Sequence, residues 1–128
     1  MPGWKRAGPL VPRSNASAKQ AGSRFERTTA DYLKDHLSEF IDRKVRTGAK
    51  DTGDIANVRT AKGRRVAVEC KDYGGKLNLP EWVREAEAER LNDGSAVGLV
   101  IAKRRGTAKP GEQWVILTVD GLIELLHG

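Results

Sequence analysis

A continuous run of apolar residues, Val97–Ala102, limits this chain more than any other feature of its sequence. A strand that is apolar at every position is buried on both faces, so it lies inside a sheet that has helices packed above and below it. The run is the longest of its kind at six residues, whereas a membrane-spanning helix needs about 20. It therefore predicts a layered α/β domain and no membrane partner.

The amino-acid composition restricts the kinds of site that the chain can build. Its 128 residues correspond to one domain, and 38% apolar with 31% charged residues permit a modest core under a charged surface. A single cysteine, Cys70, and two histidines can form neither an internal disulfide nor a Cys/His zinc site, so oxygen atoms are the expected ligands of any metal. No apolar segment follows the basic N-terminus, which predicts a cytoplasmic, intracellular protein without a secretory signal.

The net charge of +6 is concentrated at the N-terminus. Residues 1–25 contain five basic and no acidic side chains, whereas the chain from Glu26 onward has 18 basic and 17 acidic ones. The first 22 residues also hold three of the five prolines and show no apolar periodicity. We therefore expect residues 1–22 to form a flexible basic arm and residues 23–128 to form the globular domain.

Apolar periodicity and turn residues predict the secondary-structure elements. Phe25, Leu33 and Leu37 share one helical face, which indicates a helix from about residue 24 to residue 39. Ser23 and Glu26 form a capping-box pattern at its start. The full prediction is the order αβββαββα, a central mixed five-stranded sheet flanked by helices, with strands at 41–46, 54–60, 64–71, 96–102 and 113–119 and further helices at 80–92 and 121–127. Both of the last two strands have the apolar pattern of strands buried on two faces.

The second strand of the predicted hairpin carries polar side chains on one face. Val68 and Cys70 alternate with Glu69 and Lys71, so the two charged residues share the opposite face of the strand. Pairing across a turn at 61–63 brings Asp54 opposite Glu69, and cross-strand neighbours lie about 5 Å apart. Two carboxylates at that separation destabilise a sheet unless a positive charge lies between them, and Mg²⁺ is the simplest such charge. The backbone carbonyl of Cys70 can supply another oxygen ligand, while its side chain packs in the core.

Glu26 is the third candidate carboxylate, placed on the first helix beside Phe25. Taken alone, a glutamate at that position is explained by the helix dipole. An isolated Glu-x-Lys pattern is likewise explained by an ion pair on a solvated sheet face. The combination of three acids with Lys71 favours a metal site.

These residues carry a resemblance to a known superfamily. The ordered set is Glu26 on a first helix, Gly53-Asp54-Ile55 before a hairpin strand, and Val68-Glu69-Cys70-Lys71 at the end of its partner. It resembles the PD-(D/E)xK nucleases, and looks most like the archaeal-type Holliday junction resolvases and their phage relatives. One departure is Gly53, which stands where the name of the superfamily has proline.

The resemblance implies a fold and a set of roles. The fold would be a single restriction-endonuclease-like domain. Asp54 and Glu69 would hold Mg²⁺, for which Mn²⁺ can substitute, and Glu26 would complete the metal shell directly or through water. Lys71 would orient the attacking water or stabilise the negative charge that develops on the phosphate.

The activity implied by the resemblance is metal-dependent, structure-specific cleavage of four-way (Holliday) junctions by a homodimer. Branched DNA is then the expected partner, with no small-molecule substrate. Two alternatives remain open: another nuclease of the same superfamily with nicking, flap or restriction-like activity, or a non-catalytic nucleic-acid-binding module whose acids are structural.

Basic residues near the predicted acids are the candidates for contact with DNA phosphates, which position a substrate without reading its sequence. They are Arg24, Arg27, Arg43, Lys44, Arg46, Lys50 and Lys76. Two further basic clusters lie within 59–65 and 103–109. Each cluster is also consistent with a solvated turn.

Overall fold

The computed structural model describes residues 14–45, 48 and 50–128. Three helices and five strands follow one another in the predicted order αβββαββα. They are α1 (Asn15–His36), β1 (Asp42–Arg43), β2 (Ile55–Ala56), β3 (Val66–Lys71), α2 (Leu79–Asp93), β4 (Val97–Ala102), β5 (Trp114–Ile116) and α3 (Val119–His127), with a 3₁₀ turn at Pro110–Glu112. None of the described helices is both long and apolar enough to cross a membrane.

The five strands form one mixed sheet in the order β1-β2-β3-β4-β5. β3 and β4 run parallel in register from Val66↔Val97 to Lys71↔Ala102, and every other neighbouring pair is antiparallel. A parallel pair needs a crossover connection, which α2 supplies. The structure therefore confirms the predicted α/β class and the mixed five-stranded sheet.

The core lies on both faces of the sheet because β3 and β4 alternate their side chains between two helical layers. On the α1 side, Phe25 packs with residues of the strands such as Val68 and Leu99. On the α2 side, Trp82 and Ala86 pack with Val100 and Ala102. Trp82 is buried, and β4 is covered on both faces.

Helix α1 begins earlier than its apolar periodicity indicated. Its N-cap is Ser14, whose Oγ accepts a hydrogen bond from the backbone N–H of Ser17 at 3.1 Å, so the predicted cap at Ser23 is wrong. Residues 15–22 belong to the helix and not to a flexible arm, and Ala21 is buried. Residues 15–22 are rich in alanine, lysine and glutamine, which have high helix propensity. The helix therefore extends through them although they have no apolar stripe. Residues 1–13 of the predicted arm lie outside the described residues.

The last strand differs most from its prediction. β5 has three residues at the edge of the sheet, and Trp114 and Val115 are 43% and 56% exposed, so the expected burial on both faces is wrong. The Trp114 ring lies against the guanidinium of Arg104, 4.5 Å from the ring centroid. An edge strand has a neighbour on one side alone, which leaves Trp114 accessible to this favourable contact with the Arg104 cation.

The hairpin formed by β2 and β3 contains a β-bulge. Arg59 pairs with Arg65 near the turn, and Ile55 pairs with Val68 farther along. Between these two pairs the first strand has residues 56–58 and the second has residues 66–67, so the first strand holds one extra residue. Asn57 has a φ of +66°, a left-handed conformation that asparagine adopts more readily than most residues.

Candidate metal centre

Three carboxylates from different elements meet at the α2 face of β3. Ligand oxygens of Asp51, Glu69 and Glu89 all lie within 4.8 Å of one another. Glu69 comes from β3, Glu89 from α2, and Asp51 from the loop before β2. Glu69 and Glu89 are 6% and 3% exposed, and Asp51 is half-buried. Three acids this close can hold a metal ion, and we call them the acidic cluster.

Two hydrogen bonds, one to the side chain of Asp51 and one to its backbone carbonyl, fix the loop that carries this residue. The Asp51 carboxylate accepts a hydrogen bond from the backbone N–H of Gly53 at 3.0 Å, which closes an Asx turn. Its backbone carbonyl accepts from the Asn92 side chain of α2 at 2.9 Å. These bonds hold Asp51 beside α2 and bring its carboxylate to Glu69 and Glu89.

Asp93, at the end of α2, anchors the same region. It accepts hydrogen bonds from Lys44 Nζ at 3.3 Å and from the Ser95 hydroxyl, and it forms an ion pair with Arg65 at 3.4 Å. Burial by itself would raise the pKa of Asp93, but the bonds from Ser95 and Lys44 and the nearby positive charges outweigh it and lower that pKa. Asp93 is therefore held ionised in the fold.

Lys71 lies on the same strand face as Glu69, two residues farther along β3. Its ammonium forms an ion pair with Glu85 of α2 at 2.5 Å, and its side chain is 14% exposed. Glu85 and Glu89 are one helical turn apart, so α2 presents two acids to the two charged residues of β3.

Close packing of α2 on the sheet makes this arrangement possible. A Cβ atom at Gly98 of β4 would lie 2.5 Å from the Ala86 carbonyl oxygen, closer than non-bonded atoms approach. Glycine at this position lets the helix backbone approach the strand. The carboxylates that α2 carries can then reach the polar end of β3.

Asp54 and Glu26 lie near Cys70. Asp54 is 7% exposed, and its Oδ2 accepts a hydrogen bond from the Cys70 backbone N–H at 2.8 Å. Glu26 on α1 forms an ion pair with Arg43 at 3.3 Å. Burial raises the pKa of the Cys70 thiol well above its usual value, and the negative charges of Asp54 and Glu26 raise it further, whereas a bond with Thr29 lowers it. Both acids thus lie close enough to the sulfur to affect its ionisation.

The structure distributes the predicted acids over two groups. The register of Ile55 with Val68 places residue 54 beside residue 69 in the backbone, as the hairpin predicted. Among the described residues, however, the trio that meets within 4.8 Å is the acidic cluster, which includes Glu69 but neither Asp54 nor Glu26. The reason is that Asp54 turns its carboxylate along the strand to the Cys70 N–H.

Three acids of this region, Asp51, Glu85 and Glu89, were not among the site residues predicted from the sequence. The sequence shows that Glu85 and Glu89 lie on the acidic side of α2. Helical periodicity does not show, however, which of the acidic side chains contact the neighbouring strand. Asp51 stands three residues before Asp54, within a loop whose path depends on the bond to Asn92.

Gly53 adopts a backbone conformation that proline cannot adopt. Its φ is +105°, and a Cβ atom there would lie 3.1 Å from the Val68 carbonyl oxygen. Proline is fixed near −65°, so it cannot adopt this backbone conformation. The close approach lets the Asp54 N–H donate to the same carbonyl at 2.7 Å.

The predicted DNA-contacting residues lie in different environments. Lys44 is turned inward, donating to the Thr52 carbonyl and to Asp93. Arg27 forms ion pairs with Asp31 and Asp42 on the surface. Arg43 pairs with Glu26, while Arg24, Lys50 and Lys76 are exposed and Arg46 lies outside the described residues.

No family model, curated protein or solved structure matches this chain. The chemistry of the site is therefore the basis for a functional proposal. Three carboxylates offer hard oxygen ligands, which suit Mg²⁺, Mn²⁺ or Ca²⁺ better than softer metals.

Proposed function

We propose that this protein is a Mg²⁺-dependent, structure-specific endonuclease that cuts branched DNA at four-way junctions. The observation that carries the proposal is the acidic cluster beside Lys71. Carboxylates from three elements, two of them buried and one half-buried, converge at one strand end, and Lys71 follows Glu69 by two residues on the same strand face. This combination suits phosphodiester hydrolysis, in which a metal and a fixed cation both face a negatively charged phosphate.

The ligand set of the proposed site differs from the one implied by the resemblance. Glu69 belongs to both sets. We add Asp51 and Glu89 because their ligand oxygens lie within 4.8 Å of one another and of Glu69, and we give Asp54, which accepts from the Cys70 N–H, a supporting role. Three carboxylates within 4.8 Å repel one another unless a cation or a proton compensates them. A Mg²⁺ ion satisfies that need and keeps sites for water and phosphate oxygens, and Mn²⁺ takes the same oxygen ligands.

Each residue of the site has a distinct task in the proposed reaction. When bound, the metal supplies an activated water near neutral pH and stabilises charge on the phosphate. Lys71 donates hydrogen bonds to a phosphate oxygen or to the attacking water, and Glu85 holds its side chain in place before substrate binds. Glu26 keeps Arg43 next to the strand end, where its guanidinium can contact the scissile strand.

A homodimer completes the proposal, because paired cuts on opposed strands require two sites related by a twofold axis. The outer face of α3 supports such a contact. Four apolar residues recur there at helical spacing and are 42–75% exposed: Val119, Leu122, Ile123 and Leu126. An apolar stripe of this kind on a surface helix is typical of a protein–protein contact.

A cleavage assay tests the proposed function. A labelled synthetic four-way junction is incubated with the protein in Mg²⁺, in Mn²⁺ and in EDTA. We expect symmetric paired nicks with either metal and none in EDTA. Glu69→Ala and Lys71→Ala should each lower the cleavage rate by at least about 100-fold, while junction binding in EDTA stays within about threefold of wild type.

Matched variants separate the two ligand sets. Glu89→Gln removes one charge from the acidic cluster, and Glu81→Gln removes one exposed charge from the same helix outside it. We expect Glu89→Gln to raise the Mg²⁺ concentration needed for half-maximal cleavage and Glu81→Gln to leave it unchanged. Equal cutting of linear duplex would favour another nuclease, and binding with no metal-dependent product would favour a non-catalytic module.

A further inference from the structure

A second charged region lies on the opposite flank of α2 from the acidic cluster. It is an open groove of about 980 Å³ between α2, α3 and the outer end of the β2–β3 hairpin. Five arginines line it: Arg59, Arg64, Arg65, Arg84 and Arg90. We call this region the arginine groove.

Helix α2 separates the arginine groove from the acidic cluster. Glu85, Glu89 and Asn92 recur at spacings of four and three residues and face the cluster side through their bonds to Lys71, the cluster and Asp51. Val83, Glu87 and Arg90 recur at the same spacings on the other flank and line the groove. A helix that presents one row of residues to each side forms a wall between two sites.

Two of the five arginines have no carboxylate partner within the described part of the chain. Arg64 pairs with Glu124 at 2.8 Å, Arg90 with Glu87 at 2.5 Å and Arg65 with Asp93 at 3.4 Å. Arg59 donates to the Gly63 carbonyl alone, and Arg84 is exposed on α2. They come from different walls of the groove, one from the hairpin and one from the helix.

We propose that the arginine groove binds the phosphodiester backbone of a second duplex arm of the branched DNA. This rests on the proposed function, which places the scissile strand at the acidic cluster. Guanidinium groups bind phosphate through two parallel hydrogen bonds, and arginines on two walls can contact phosphates along one backbone. In this proposal, a linear duplex bound at the acidic cluster stays on the cluster side of α2. A four-way junction has additional arms, and one of them can cross α2 to the arginine groove. The groove thus selects branched DNA over linear DNA.

A double variant tests this assignment. Arg59→Gln with Arg84→Gln removes the two groove arginines that lack a carboxylate partner, so no acid loses an ion pair. Lys19→Gln with Lys34→Gln is the matched control, since it removes two exposed charges of α1 from outside the groove. Fluorescence anisotropy in EDTA then measures binding of a labelled four-way junction and of a linear duplex with the same arm sequence over a salt series.

We expect the groove variant to bind the junction roughly tenfold more weakly than the control and to bind the duplex equally well. The slope of log K against log salt for the junction should become shallower by about 2, because each lost phosphate contact contributes about 0.9. Equal weakening on junction and duplex, or a slope that matches the control, overturns the assignment.

The two proposals fail in distinguishable ways. If wild-type protein cuts no DNA in Mg²⁺ while the groove variant loses junction binding selectively, the proposed nuclease function is wrong and the groove assignment stands. If wild-type protein cuts junctions and the groove variant binds and cuts them as the control does, the groove assignment is wrong and the nuclease proposal stands.

Discussion

Gly98 is the position at which we expect one added methyl group to disturb both the fold and the site. A Cβ atom there would lie 2.5 Å from the Ala86 carbonyl oxygen and 3.1 Å from the Cβ of Arg90. Non-bonded heavy atoms prefer about 3.5 Å, so Gly98→Ala pushes α2 away from β4 by about 1 Å. The nearest atom is backbone, which cannot rotate aside as the end of a flexible side chain can.

The loss of stability expected from Gly98→Ala can be estimated. Overpacking a core lowers the free energy of unfolding by about 1–3 kcal/mol, which corresponds to a fall in Tm of roughly 4–12 °C for a domain of this size. The same displacement moves Glu85 and Glu89 away from Lys71 and Glu69, and a shift of about 1 Å can slow an enzyme about 100-fold. Urea unfolding followed by circular dichroism gives the stability, and the junction assay gives the rate.

Gly22→Ala is the control, because we expect it to change the free energy of unfolding in the opposite direction. It lies inside α1, where an added Cβ atom meets nothing within 4 Å. Gly22→Ala should therefore raise the free energy of unfolding by about 0.5–1 kcal/mol through helix propensity. An unchanged or higher urea midpoint for Gly98→Ala, measured beside this control, would refute the close packing of α2 on β4.

Two further predictions concern stability. Trp82→Ala should lower the free energy of unfolding by about 3–5 kcal/mol, since it empties the centre of the α2-side core; a loss below about 1 kcal/mol in urea unfolding would contradict that packing. Asp93→Asn should cost about 1.5–3 kcal/mol at pH 7, because Lys44 and Ser95 lose a charged acceptor. The pKa of Asp93 is lowered by folding, so its contribution is present above its unfolded pKa of about 3.9 and fades as pH falls through the folded value. Unfolding measured from pH 7 to pH 3 should thus show the variant and wild type converging in acid, whereas Asp35→Asn, an exposed change on α1, should run parallel to wild type.

Sequence patterns predicted those elements whose burial is periodic. Apolar continuity predicted β4, and Pro80 with the Asp93-Gly94 ending predicted α2, which ends at Gly94 in the left-handed conformation. The start of α1 escaped prediction because residues 15–20 are exposed, so no apolar stripe extends through them. The short, exposed β5 escaped it because continuous apolar residues look the same at an edge as in the middle of a sheet.

The candidate site was predictable where it depends on one strand and not where it depends on packing between elements. Glu69 and Lys71 share a face because side chains alternate along β3. The contribution of Glu89 depends on how closely α2 approaches β4 at Gly98, and that distance is a property of the packed fold. The position of Asp51 depends on a hydrogen bond from a helix that begins 28 residues later in the chain.

The extra residue of the β2–β3 hairpin determines to which face of the sheet the side chains on either side of it point. Ile55 pairs with Val68 and packs in the α1-side core, whereas Arg59 pairs with Arg65 and both line the groove beside α2. In an unbroken strand, residues four apart point to the same side. If residues 55–59 ran as a regular strand with no bulge, Arg59 would thus point to the same side of the sheet as Ile55. The bulge therefore lets one hairpin direct apolar side chains to the α1 layer and cationic side chains to the groove beside α2.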